Sequence, residues 1–183
     1  MRLIECVPNF SEGKNKDIID SITSEIVSVS GVKLLDVDPG KDTNRTVVTF
    51  VGDPEYVIEA AFLAISKASE LIDMSAHKGA HPRMGATDVC PLIPIKGVTV
   101  DECIKYSHKL AQKVAKKLNI PIFMYEKSAK SKDRQNLANI RKGEYEGMAK
   151  KIKLKSWVPD YGNKFNIKSG VTAKNLNIPG AWA

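Results

Sequence analysis

The sequence predicts an α+β fold: a ferredoxin-like sandwich, with a mixed or antiparallel sheet and helices packed on one face, extended by an extra helix and strand. Three observations predict it. The first six elements run strand, helix, strand, strand, helix, strand. Apolar residues recur at steps of three and four in the helices, whereas the strands are short β-rich runs. Capping and turn residues stand at the junctions between them.

The first strand is Arg2 to Pro8, where Leu3, Ile4 and Val7 are apolar. Gly13 separates it from a helix in which Ile18, Ile19, Ile22, Ile26 and Val27 keep helical spacing, and Gly31 ends that helix. Val32 to Val37 and Thr46 to Val51 are the next two strands, joined through a turn cluster that contains Pro39 and Gly40. Asp53, Pro54 and Glu55 open the second helix with a capping oxygen, a preset φ and an acid at the positive end of the dipole. Its apolar face holds Val57, Ile58, Ala61, Phe62, Ile65 and Ala68. Val89 to Ile95, punctuated by Pro91 and Pro94, reads as a short or edge strand. Thr99 and Glu102 form a capping box for a third helix, with Ile104, Ser107, Ala111, Val114 and Leu118 in step. Ile120 to Tyr125 adds a strand and Arg134 to Lys142 a helix. From Trp157 onward Pro159, Gly162, Gly170, Pro179 and Gly180 break the pattern, so a lobe over residues 1–156 and an irregular tail over 157–183 are expected.

At 183 residues and 43% apolar composition the chain has material for a core of its own, which excludes disorder. Three cysteines with no close pair, Cys6, Cys90 and Cys103, support neither a disulfide framework nor a zinc ribbon. The N-terminal residues reach Pro8 and polar neighbours too soon for a signal peptide, and no apolar run is long enough to span a membrane. A cytoplasmic location is expected. The whole net charge of +7 lies in residues 127–155, which hold ten Lys or Arg against three acids. Such a field attracts phosphates, nucleic acids or carboxylates. The lysines lack interleaved aromatics, which disfavours nucleic acid as a partner, and most of them read as solvated surface.

The densest polar segment is Ala76 to Asp88, which packs His77, Lys78, His81, Arg83 and Asp88 among Gly79 and Gly85. A glycine-containing loop between helix and strand is where scaffolds place reactive groups. His77 and His81 are four apart, but Gly79 and Pro82 argue against a helix and no third ligand has suitable spacing, so no metal is expected. Strand alternation puts Asp36 and Asp38 on one face, away from an apolar interior. His108 reads as structural, and Cys90 and Cys103 as core residues.

Four blocks carry a resemblance: ECVPNFSEG at 5–13, LLDVDPGKDTNRTVVTFVG at 34–52, HKGAHPRMGATDVCPLIPI at 77–95 and IRKGEYEGM at 140–148. Together they resemble the N-terminal lobe of glutamate formimidoyltransferase, also called formiminotransferase. The resemblance implies transfer of a formimino group from N-formimino-L-glutamate to N5 of tetrahydrofolate as co-substrate, in histidine degradation and one-carbon metabolism, with no metal. It puts the acid/base group at His81 and an assisting carboxylate at Asp38. The family's folate-contacting segment falls on Gly162, Asn163, Lys164, Phe165, Asn166, Ile167, Lys168, Ser169 and Gly170, where Asn163 and Lys164 replace the commoner proline-containing form.

The implied chemistry fits those residue types. An amine attacks the formimino carbon, and glutamate leaves once its nitrogen is protonated. One group must therefore take and give protons near neutrality, as histidine does. Both substrates carry carboxylates, for which Arg45, Arg83, Lys164 and Lys168 are candidate cations. Arg45 and Arg83 read equally well as structural partners of Asp36, Asp38 or Asp88. The family's unit has two lobes with substrates between them, so a homo-oligomer or a separate second-lobe subunit is the expected partner. The alternative reading is a non-catalytic folate- or anion-binding or regulatory module of one lobe.

Overall fold

Alternation along the first strand sends Ile4 and Cys6 into the core and leaves Leu3 and Glu5 half-buried on the other side. In the computed structural model, which describes residues 1–176, this strand is split at Pro8 into β1 (Leu3–Cys6) and β2 (Asn9–Phe10). Both halves pair antiparallel with β4 (Arg45–Gly52) in one continuous register, from Ile4 opposite Gly52 to Phe10 opposite Thr46. β3 (Val32–Gly40) lies antiparallel on the outer side of β4. On the inner side β1 pairs with β6 (Leu92–Lys96) and β2 with β5 (Thr87–Val89), also antiparallel. These ladders are the ferredoxin-like core that the element order predicts.

The extension departs from expectation at the C-terminal end. Residues Thr172–Leu176 form β8, parallel to β5 and β6 on one side and to β7 (Ile122–Glu126) on the other. The expected irregular tail therefore contains an interior strand. Lys174 and Asn175 give the stretch no apolar pattern of its own, and the three flanking strands supply the burial that the local sequence does not announce. Pro179, Gly180 and Trp182 of that tail lie outside the described residues.

Three helices cover one face. α1 (Lys16–Val27) is capped by the Asn15 side chain, which accepts from the Asp17 and Ile18 amides. α2 (Pro54–Leu71) starts at the Asp53 cap and α3 (Val100–Leu118) at the Thr99–Glu102 capping box, both as the sequence predicts. Ile22, Ile26, Val57, Ala61, Ile65, Leu110 and Val114 from these helices share one core with Ile4, Cys6, Phe10, Val48 and Phe50 of the sheet.

A second core lies on the opposite face at the β7 end. Ile122 and Met124 join the first core, while Phe123 and Tyr125 pack with Met84, Val89, Ile140, Met148 and Ile152. The covering elements are α4 (Lys132–Gln135), α5 (Leu137–Arg141) and α6 (Glu144–Lys151). Helices on one face thus describes the ferredoxin-like part, not this end. The helix expected over Arg134 to Lys142 is broken at Asn136, whose extended backbone ends α4 and whose side chain accepts from the Ala138 amide to start α5.

A register shift between Leu34 and Asp36 resets alternation in β3. Asp36 and Asp38 then lie opposite Thr49 and Val47, on the face away from Val48 and Phe50, and both are exposed. Arg45 and Glu5 share that face.

Candidate active site

The end of the β3–β4 hairpin is docked against the loop that follows α2. Asn44 adopts a left-handed φ of 49° and turns its side chain outward: its amide nitrogen donates to the Lys78 carbonyl at 2.8 Å and its oxygen accepts from the Gly13 amide at 3.0 Å. The Asn44 carbonyl lies 3.0 Å from His77 Nε2. The fit is close enough that a Cβ on Gly79 would sit 2.3 Å from the Thr43 carbonyl oxygen, which explains a glycine there.

This docking brings Arg45, the first residue of β4, to His81. Arg45 Nη1 lies 2.9 Å from His81 Nε2. Two further atoms at this contact, Arg45 Nε and His81 Nδ1, are buried and without a hydrogen-bond partner. Burial, then the charges of Arg45 and Arg141, push the His81 pKa below its usual range, with Asp88 opposing them. Arg45 is itself held below its usual range by burial and by Arg141, against Asp88 and Asp38.

Asp88 is fully buried and organises the floor of the site. One carboxylate oxygen accepts from the Met84 amide at 2.9 Å, and the other accepts from Arg141 Nε at 3.1 Å. Arg141, on α5, is thereby fixed beside His81. A cavity of about 410 Å³ opens next to it, lined by Pro82, Ala138, Asn139, Arg141, Lys142, Gly143 and Glu144. It is continuous in its lining with a larger one of about 580 Å³ that adds Lys150, Lys151 and Trp157.

The other expected site residues are placed as follows. Asp38 is exposed; no hydrogen bond among the described residues joins it to His81, and its effect on the site is the charge it presents to Arg45. Arg83 is buried and its donors are taken: Nε and Nη2 reach His77, while Nη1 and Nη2 reach Glu144 and Glu146. Its partners are thus two glutamates of α6 rather than Asp36, Asp38 or Asp88. The segment Gly162–Gly170 is a folded loop centred on Asn166, whose side chain accepts from the Ser169 amide and whose carbonyl accepts from the Gly170 amide. Ser169 and Gly170 are buried; Gly162, Asn163, Lys164, Ile167 and Lys168 are exposed, and Phe165 lies against Tyr145 with ring centroids 5.5 Å apart. Lys168 donates to the Glu70 carbonyl, and its own carbonyl accepts from the Met74 amide at 2.8 Å. A Cβ on Gly170 would sit 2.1 Å from the Met84 carbonyl oxygen, and its φ is 67°, so a glycine is required on both counts. The segment therefore touches both ends of the loop that carries His81, at Met74 and Met84–Gly85, without a hydrogen bond to His81 itself.

Sequence reasoning missed Arg141 and the two glutamates as site components. They come from more than fifty residues away, and the only signal for them was the block IRKGEYEGM, which contains all three. His108 donates to or accepts from Tyr161 at 2.8 Å, in keeping with a structural role. No described helix is long and apolar enough to cross a membrane.

Comparison with known proteins agrees with the resemblance. The formiminotransferase domain, N-terminal subdomain, matches residues 3–175. The chain is 49% identical over 179 residues to glutamate formimidoyltransferase of Streptococcus pyogenes serotype M1, covering 97% of this chain and 60% of that protein. It is 42% identical over 174 residues to the protein of the same name in Thermoplasma acidophilum, covering 94% and 57%. With formimidoyltransferase-cyclodeaminase of Mus musculus it shares 53% identity over 161 residues, 88% of this chain and 30% of that one. The chain thus spans about three fifths or less of the length of these relatives. By the extent of the match and the level of identity, the chain belongs to the formiminotransferase N-terminal subdomain family.

Proposed function

We propose that the chain is the first lobe of a glutamate formimidoyltransferase, which moves a formimino group from N-formimino-L-glutamate to N5 of tetrahydrofolate. The observation that carries this reading is the His81 ring, half-buried, kept neutral by its surroundings and set beside two arginines. Once its lone pair is free of Arg45, a neutral imidazole can accept a proton from the attacking nitrogen and return it to the departing glutamate nitrogen, a service worth about 10²- to 10⁴-fold. Arg45 and Arg141 supply positive charge for substrate carboxylates, and the cationic cavities beside Arg141 extend that field over Lys142 and Lys150. Asp38 assists by balancing the charge of Arg45. The exposed loop Gly162–Gly170, anchored to both ends of the His81 loop, is positioned to contact the folate. A second lobe, from the same polypeptide, a second subunit or another copy, closes the site over the face that bears Glu5, Asp36, Asp38 and Arg45. A reducing cytoplasm suits three unpaired, buried cysteines.

The test is formation of 5-formiminotetrahydrofolate by the chain, alone and mixed with the second-lobe part of the Streptococcus pyogenes relative. Transfer in the mixture supports the proposal. Tetrahydrofolate binding by calorimetry with no transfer in either arm makes the chain a binding module instead. Full turnover by His81→Ala would remove His81 from its role.

A further inference from the structure

The contact between Arg45 and His81 has a direction. Guanidinium has five N–H donors and no acceptor, and it stays protonated in proteins, so at 2.9 Å His81 Nε2 must be the acceptor. The ring is then neutral and carries its proton on Nδ1, the tautomer that free histidine disfavours. It also has its only lone pair occupied. A base in that state is held back, since the atom that must take a proton is already covered by a cation.

Arg45 has reasons to let go. Its Nε is buried without an acceptor, so the histidine uses only part of its fork. A carboxylate could take Nε and an Nη together, the bidentate geometry that arginine favours over a single neutral acceptor. Asp38 already pulls on the cation by charge from the neighbouring strand. Arg141 cannot play this part, because Asp88 holds its Nε and Nη2.

We infer that Arg45 is a positioning residue that locks His81 in its Nδ1–H tautomer and releases Nε2 for catalysis when a substrate carboxylate captures the guanidinium. Chemistry is thereby coupled to occupancy, and the base is exposed only beside a bound acid. The catalytic half of this inference rests on the transferase reading above; the lock itself does not.

The charged groups facing His81 are Arg45 from β4, Arg141 from α5 and Asp88 from β5, with Asp38 of β3 acting through Arg45. Nitrogen–proton long-range correlation NMR on the full chain reads the tautomer of His81 directly, without folate or turnover, so its result is independent of whether transfer is ever seen. The wild type is expected to show the proton on Nδ1. Arg45→Ala is expected to shift it to Nε2 and to raise the titration midpoint of the ring. Glutarate, a dicarboxylate probe, is expected to raise the midpoint of the wild-type ring, because drawing the cation away frees the Nε2 lone pair, and to leave the Arg45→Ala ring unmoved. A proton on Nε2 in the wild type, or an unchanged tautomer and midpoint in Arg45→Ala, overturns the lock; an equal glutarate response in both proteins overturns the release. His108, bonded to Tyr161, reports whether the variant is folded. If it is not, the wild-type tautomer and its glutarate titration decide alone.

Discussion

Arg83 grips Glu146 with two nitrogens, Nη2 to Oε1 at 2.7 Å and Nη1 to Oε2 at 3.0 Å, and so ties the loop that carries His81 to a helix 63 residues farther along the chain. The guanidinium is buried, whereas the carboxylate is largely exposed. Arg83→Lys keeps the charge but loses the fork and the bonds to His77. It is expected to cost about 1–3 kcal/mol. Glu146→Gln, altering only the wet end, is expected to cost about 1 kcal/mol or less. Urea midpoints at unchanged slope measure both, and equal losses would show that the fork is not what matters.

Asp88→Asn strikes the floor of the site. The amide leaves Arg141, whose side chain is 19% exposed, without its counter-charge. A loss of about 3–5 kcal/mol is expected, because removing one partner strands a desolvated ion. Asp88 also opposes the fall in the His81 pKa, so the ring should titrate still lower in this variant. A variant as stable as wild type, or a His81 midpoint that rises, contradicts the arrangement.

All three histidines have folded-state pKa values below the usual 6.5: His77 through burial and Arg83, His81 through burial and Arg45, His108 through burial and Lys130. The unfolded chain then binds more protons than the folded one as pH falls through about 6.5. The histidine contribution to stability is complete above that value and is lost below it, down to the folded midpoints. Unfolding free energy measured by urea between about pH 5 and 7.5 should rise with pH. A flat profile would mean that the three rings titrate as they do in solution.

A buried thiol and ammonium meet in the sheet core, where Lys174 Nζ lies 3.4 Å from Cys90 Sγ and 3.0 Å from the Cys90 carbonyl oxygen. The Cys6 thiol, 3.6 Å away, and the Lys174 charge both favour a Cys90 thiolate. Cys90→Ala is expected to strand the ammonium and cost about 3–5 kcal/mol. Cys103→Ala, where burial pushes the thiol up to about 12 and no charge is lost, should cost about 1 kcal/mol for the vacated volume. Denaturant titration compares them, and similar losses would mean that Lys174 finds another partner.

What the sequence made legible was local. Asp53 and the Thr99–Glu102 box announce α2 and α3 because a cap is written within four residues of the helix it starts. Strand β8 was not legible, since Lys174 is buried only by what neighbouring strands bring to it. A mostly solvated basic stretch, as the sequence predicts, fits several lysines but not buried Arg134 or half-buried Lys151. Arg134 donates to the Ser156 and Val158 carbonyls and pairs with Asp160, and Lys151 spends its ammonium on the Asn139, Ile140 and Lys142 carbonyls. The site divides in the same way. His81 stood out by residue type in a glycine-containing loop, but its contact with Arg45 depends on a hairpin docking that no spacing records.

Strand β8 also sets an order of assembly. Among the described residues β7 pairs in the sheet with β8 alone, and α3 joins it to β6 across the position that β8 fills. On a ribosome, β1 to β6 can pair as soon as they emerge, whereas β7 waits for a strand made about fifty residues later, and the Arg141 side of the candidate site waits with it. Until residues 172–176 arrive, the edge of β5 and β6 that β8 covers is an open pairing edge for any extended peptide.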